Sequence, residues 1–481
     1  MSLVRRILKI GLVVTGVLLW VLFVNLAGEA VHSPIRSVLF SVQGAKPSLH
    51  ADEAVQWSLA KDSAAGAAYS DNQDKFHGPA LALAARGVFA VRGLSFDDAT
   101  ELDLRLVPFL FYLLICAVPF ALRGVSMLTK TSVAALLVLS SAGCYFGHYF
   151  IQETLLVAGF IWGALLWMES ADAPGHWWQL AMAGAGFGLA LACKVTAAAY
   201  LVIFFLTLLV LARRTLTIRR IAWVAAGAAF VWIGLQSWLF TDLNGLAAWG
   251  HQFWRSFGVA SGNDDTLPLT NPEYWWAIGL WLAFLVGVRF YDAKLFAVRD
   301  VPLALAVLCF LFHLALPYKT PWLLFLPVCI SLSWVLPLLA EGSAGRLVVS
   351  LSFATLFVWI SVCVLERHTR TSFNGNSLAM QLGEYRDAWQ RANPGKRFYV
   401  AISGGHYWPL PYYLRAHSVG YGDFTGAEEA PVRFLPAYDD SLPVVPGRQV
   451  YPLQIRRGEH FWVLVQAIEE GGKPAFPYWH Y

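Results

Sequence analysis

Roughly eleven apolar runs punctuate the chain, near residues 8–27, 105–122, 131–149, 153–168, 177–193, 195–212, 220–240, 274–288, 300–316, 321–339 and 347–365. Runs of this length predict helices that cross a hydrocarbon core of about 30 Å. An odd number of crossings puts the two termini on opposite sides of the bilayer. The stretch 79–95 is also apolar, but Arg86, Arg92 and small residues interrupt it, so it reads as a helix lying at the membrane interface. The start, "MSLVRRILKIGLVV", has the basic opening of a signal peptide, yet the run that follows is long enough to span a bilayer and reads as a retained signal anchor.

From about residue 370 the pattern changes. "LAMQLGEYRDAWQRA" repeats its apolar positions at helical spacing, while "RFYVAIS" and "HFWVLVQ" have strand composition. The division this predicts is an all-α polytopic module over residues 1–366, with a first external loop at 28–104 that carries interfacial helices. A small α/β domain over 367–481 follows. No internal repeat is visible, which weighs against a transporter built from duplicated halves.

Composition agrees with this pattern. At 57% hydrophobic and 14% charged residues, the chain is not an ordinary soluble globule. Its net charge of +4 points to no nucleic acid. The six cysteines all lie in or beside apolar runs with no C-x-x-C spacing, so neither a disulfide framework nor a cysteine metal site is expected.

The placement of charge sets the orientation. Arg5, Arg6 and Lys9, then Arg123 and Lys130, then Arg213, Arg214, Arg219 and Arg220, then Arg289, Lys294 and Arg299 fall on one side if the spans alternate. That side is the cytoplasm by the positive-inside rule. The N-terminus is then cytoplasmic and the C-terminal domain extracytoplasmic, in a plasma (inner) membrane.

This topology gathers distant residues on the external face: Asp52 and Glu53, Lys75 and His77, His148 and Glu153, Lys194, and Lys319. Any one of them alone is equally well a solvated helix end, because a charge near the surface snorkels cheaply. Glu153 alone can serve as an acid at the positive end of its helix. The loop 241–273 adds His251 and Arg255, among aromatics suited to an interfacial belt. A carboxylate opposite several cations fits transfer of a group from a polyprenyl phosphate. The carboxylate takes the proton of an acceptor hydroxyl, and the cations stabilise the departing phosphate.

The Asp-Glu pair after the first span, the "KFHGP" turn, the acid opening a later span, the lysine between spans and "YKTPWLLFLP" together resemble the GT-C membrane glycosyltransferases. Within them the chain is most similar to the branch of protein O-mannosyltransferases and the aminoarabinose lipid A transferase. It is especially similar to an archaeal and bacterial group labelled flippase-activity-associated proteins, which shares a "WPLPYYLR"-like stretch, here Trp408 to Arg415.

The resemblance implies a multi-span fold with a catalytic first external loop, a polyprenyl-phosphate-linked sugar donor and inversion at the anomeric carbon. It carries the catalytic base to Asp52, with Glu53 beside it, and the basic turn to Lys75 and His77. Mannosyltransferase relatives often have a Lys-Pro-Pro-type turn, where this chain has Lys75-Phe76-His77-Gly78-Pro79, so the phosphate-facing role stays open between Lys75 and His77.

The reading is therefore a GT-C-type glycosyltransferase with about eleven transmembrane helices and a small extracytoplasmic domain. Asp52 and Glu53 are its catalytic candidates; Lys75, His77, His148, Glu153, Lys194, His251, Arg255 and Lys319 are its substrate-binding candidates. No cofactor is implied and a divalent metal is left open. The partners are the lipid-linked sugar, the bilayer and an acceptor that is a protein, a lipid or a glycan. The rival is a flippase or transporter of lipid-linked sugars, or its non-catalytic accessory protein; transport would call for polar residues running through mid-membrane, and the spans offer few.

Overall fold

The computed structural model describes residues 48–65, 77–139, 146–170, 177–260, 300–316, 321–340 and 373–475, the last without 406, 423, 438–442, 457–458 and 471–472. The runs near 8–27, 274–288 and 347–365 lie outside the described residues. The chain divides into two compact units. One contains residues 1–45, 59–95 and 102–365; the other contains 46–58, 96–101 and 366–481.

Helices α1 (Ala51–Ala64), α2 (Ala80–Arg92), α3 (Glu101–Ala121), α4 (Met127–Leu139), α5 (Glu153–Glu169), α6 (Trp177–Cys193), α7 (Thr196–Leu211), α8 (Ile218–Gln236), α9 (Asn244–Ala260), α10 (Asp300–Ala315) and α11 (Trp322–Ala340) follow one another along the chain. Among the described residues α3, α8 and α11 are long and apolar enough to cross a membrane. Helices α4, α6, α7 and α10 are apolar but shorter. Among the described residues, then, three of the eleven expected runs form helices of spanning length. A further difference concerns the loop expected over 241–273: its first part is α9, whose apolar stripe the many aromatics and polar residues hide from a hydropathy reading.

Within the first unit α6 is the centre of a close three-helix contact. A Cβ on Gly159 of α5 would lie 2.6 Å from the carbonyl of Gly186 in α6, and a Cβ on Gly186 would lie 2.5 Å from the carbonyl of Gly159. Only a hydrogen fits at such a crossing, so the backbones of α5 and α6 meet directly. The end of α6 comes to the start of α5.

The second unit is built on a five-stranded mixed sheet. Strands β1 (Val400–Ile402), β2 (Val419–Tyr421), β3 (Val432–Pro436), β4 (Arg448–Arg456) and β5 (Glu459–Gln466) lie in the order β2-β1-β3-β5-β4. Strand β1 is parallel to β2 and β3, while β5 is antiparallel to β3 and β4. Val432 and Phe434 are fully buried while Arg433 between them is not, the period-two pattern of a half-covered sheet.

Helix α12 (Gly375–Ala392) opens on Asn374, whose side chain accepts the N–H of Ser377 at 3.0 Å. It carries Tyr385, whose hydroxyl donates to the Gln466 carbonyl of β5 at 2.7 Å. Residues 48–58 and 96–101 of the first loop belong to this unit and are hydrogen-bonded into it. Ser48 Oγ donates to the Phe373 carbonyl at 3.0 Å and accepts the Gly375 N–H at 2.8 Å.

Candidate functional site

In the first unit, α5 begins where α6 ends, and a buried ion pair closes that end of the helix pair. Lys194 Nζ lies 2.6 Å from Glu153 Oε1, with the side chains only 10% and 7% exposed. Glu153 is the first residue of α5, where the helix dipole also favours its charge. Its other oxygen, Oε2, is buried with no hydrogen-bond partner among the described residues. Burying two charges is favourable only when they meet in good geometry, so each residue depends on the other.

The pair borders a small cavity lined by Thr196 and Tyr200 of α7, Trp322 and Leu326 of α11, and Leu156 and Val157 of α5. Tyr200 is fixed by a buried 2.7 Å hydrogen bond between its hydroxyl and His313 Nε2 of α10. The cavity therefore combines apolar walls with a carboxylate oxygen that is unmatched among the described residues and two hydroxyl-bearing side chains.

The described part of the "KFHGP" turn, from His77, docks onto the same helix end. His77 pairs with Lys194 as an isolated antiparallel bridge, and the Gly78 N–H donates to the Cys193 carbonyl at 2.8 Å. Gln152 braces the turn from the other side: its Nε2 donates to the Gly78 carbonyl at 2.8 Å, and its Oε1 accepts the Leu81 N–H at 3.1 Å. The His77 carbonyl takes a bond from Gln252 of α9 at 3.0 Å. Glycine is required at 78, because a Cβ there would sit 2.0 Å from the Ala192 carbonyl.

The structure thus brings His77, Glu153 and Lys194 together. His148 stacks on Phe109 with ring centroids 4.4 Å apart. His251 and Arg255, one helical turn apart, are on the exposed side of α9. Lys75 and Lys319 lie outside the described residues. Sequence reasoning missed Gln152, Tyr200 and His313. The lone histidine in "FLFHLALP" and the glutamine next to Glu153 were the signals available for two of them.

Asp52 and Glu53 belong to the second unit, at the start of α1, and their surroundings differ. Glu53 is 1% exposed and its Oε2 accepts the backbone N–H of His50 at 2.9 Å. The Asp52 side chain is 46% exposed and its Oδ2 lies 3.4 Å from His50 Nδ1, which accepts the Asp52 N–H at 3.3 Å. Among the described residues no group of three or more His, Cys, Asp or Glu gathers to hold a metal ion.

No protein-family model matches the chain, and no curated protein does. Solved structures do. ArnT from Cupriavidus metallidurans in the apo state matches with a TM-score of 0.58 and 13% identity, over 94% of this chain and 98% of that one. ArnT bound to undecaprenyl phosphate matches with the same TM-score and 14% identity, over 92% and 97%. The Archaeoglobus fulgidus oligosaccharyltransferase in complex with zinc and sulfate is a looser likeness, with a TM-score of 0.42 and 11% identity over 76% of this chain and 58% of that one. A fold shared with ArnT over nearly the whole length, together with helices long and apolar enough to cross a bilayer, describes an integral membrane protein. The chain has the fold of ArnT, in keeping with the fold that the resemblance to the GT-C membrane glycosyltransferases implies.

Proposed function

We propose that the protein transfers a glycosyl group from a polyprenyl-phosphate donor to an acceptor hydroxyl. The observation that carries this reading is the fold shared with ArnT, including ArnT holding undecaprenyl phosphate, over more than nine-tenths of both chains. In the reaction, Asp52 takes the proton of the acceptor hydroxyl as its oxygen bonds to the anomeric carbon. The bond from that carbon to the phosphate oxygen breaks, and its electron pair leaves on the polyprenyl phosphate. A single displacement of this kind inverts the anomeric centre.

The half-exposed carboxylate of Asp52 suits the base, whereas Glu53 is spent on its own helix start. Lys75, His77, Lys194 and Lys319 supply positive charge toward the phosphate. Lys194 does so as half of its pair with Glu153, whose Oε2 remains an acceptor for a sugar hydroxyl. His148, His251 and Arg255 are assigned to the substrate surroundings rather than to the reacting atoms. The sheet-bearing unit selects the acceptor, and the site faces away from the cytoplasm.

Native mass spectrometry of the purified protein with undecaprenyl phosphate tests the donor half of the reading. Retention of this lipid well above a zwitterionic phospholipid is the expected result; equal retention of the two contradicts it.

A further inference from the structure

The Trp408–Arg415 stretch has no part in the proposed reaction, yet its side chains make several of the bonds that hold residues 48–58 and 96–101 within the sheet-bearing unit. The Tyr413 hydroxyl accepts the Leu49 N–H at 2.5 Å and donates to Glu101 Oε1 at 3.2 Å. Glu101, only 6% exposed, also accepts from Asn376 Nδ2 at 2.6 Å. The Tyr412 hydroxyl donates to the Ala99 carbonyl at 2.9 Å. Arg415 donates to the Asp97 and Ala99 carbonyls at 3.0 and 3.3 Å, and its guanidinium lies over the rings of Tyr412 and Trp57. Trp57 in turn donates to the Phe96 carbonyl at 2.8 Å and meets Tyr412 edge to face.

These bonds converge on the residues just before Asp52. Ser48 is tied to Phe373 and Gly375, Leu49 to Tyr413, and His50, next along the chain, carries the ring that holds the Asp52 backbone and lies beside its carboxylate. Two consecutive residues, Ser48 and Leu49, are thereby fixed from outside their own helix, directly before the residue that holds Asp52. A base must stay within hydrogen-bond reach of the proton it takes, so a support that fixes its backbone contributes to turnover without touching substrate.

We propose that Tyr413, with Glu101 and Asn376 behind it, is a positioning group that holds the Asp52 helix start in its working place. The proposal rests on the transferase reading for its kinetic consequence but not for its structural one. Both are measured on the purified full-length chain.

Tyr413→Phe removes one hydroxyl and keeps the ring. It is expected to lower kcat about tenfold, the worth of a lost buried hydrogen bond, with the KM for donor unchanged. Combined with Asp52→Asn it should lower turnover no further than Asp52→Asn alone, because the two act through one group. In the same variant, hydrogen exchange of amides 48–58 should rise while that of 425–466 stays as in the parent.

An additive double variant, or unchanged exchange over 48–58, overturns the positioning role. If the parent protein shows no transfer with any donor but exchange over 48–58 still rises in Tyr413→Phe, the support stands and the transferase reading fails. Should Tyr413→Phe not fold, Ser48→Ala probes the same support, with the same local rise expected and its absence counting against the proposal.

Discussion

Glu53 Oε2 accepts the backbone N–H of His50, three residues back, at 2.9 Å. This is the returning half of a capping box, in which the third residue of a helix satisfies the amide just before it. It explains why two adjacent acids do different work. Asp52→Asn is expected to leave unfolding unchanged and to cost about a hundredfold to ten-thousandfold in turnover, the usual worth of a general base. Glu53→Gln, which still accepts the His50 N–H, should keep turnover within a few-fold, and Glu53→Ala should cost about 1 kcal/mol of stability. Equal losses of turnover in Asp52→Asn and Glu53→Gln would place both acids at the reacting atoms.

The buried pair of Lys194 and Glu153 makes a second expectation. Removing one partner strands the other's charge, so Lys194→Met should destabilise the protein by about 3–5 kcal/mol. Adding Glu153→Gln should restore much of that, as read by unfolding in detergent. The restored double variant then reports on phosphate binding without the complication of misfolding: weaker retention of undecaprenyl phosphate assigns Lys194 to the donor, and full retention assigns it to the fold. Strictly additive losses would mean the two side chains do not depend on each other.

Gly78 gives the sharpest steric expectation. With a Cβ only 2.0 Å from the Ala192 carbonyl, Gly78→Ala cannot keep the turn against the end of α6. Protease cleavage near residues 70–80 should accelerate and turnover should fall, whereas Gly87→Ala, which meets nothing within 4 Å, should do neither. Normal behaviour of Gly78→Ala would show that the turn does not need this seat.

Much of this was legible in the sequence, and what was not has a physical reason. The apolar runs near 105–122, 177–193 and 195–212 became α3, α6 and α7, because burial of a long apolar stretch is written locally. The turn at Lys194 was equally plain between two such runs. Helix α9 was hidden by its composition, since Trp249 and Phe253 form an apolar stripe among residues that look like a loop. The bond from Leu49 to Tyr413 joins positions 364 residues apart, and Tyr200 meets His313 across 113; no local pattern reports such pairings. The acidic pair was visible, but which acid is tied to its own helix is a matter of hydrogen bonds.

The sheet-bearing unit should lose stability in mild acid through His417. Burial, and then the Arg386 guanidinium, hold this imidazole below its ordinary value of 6.5. The unfolded chain then binds the proton first. The contribution is complete above about pH 6.5 and is lost as pH falls from there through the depressed folded value. The protection factors of amides over 398–421 in the full-length protein, corrected for the intrinsic pH dependence of exchange, should therefore fall between pH 7.5 and 5.5, and His417→Gln should flatten that dependence. An equal fall in His417→Gln would assign it to other groups.

The central claim is transfer rather than transport, and turnover in detergent tests it most directly, because a flippase has no measurable function without two compartments. Purified protein given polyprenyl-phosphate sugars and a panel of protein, lipid and glycan acceptors is expected to release polyprenyl phosphate in step with glycosylated product, with Asp52→Asn inactive. No turnover across the panel, together with movement of the lipid-linked sugar across the bilayer of proteoliposomes, would contradict the account.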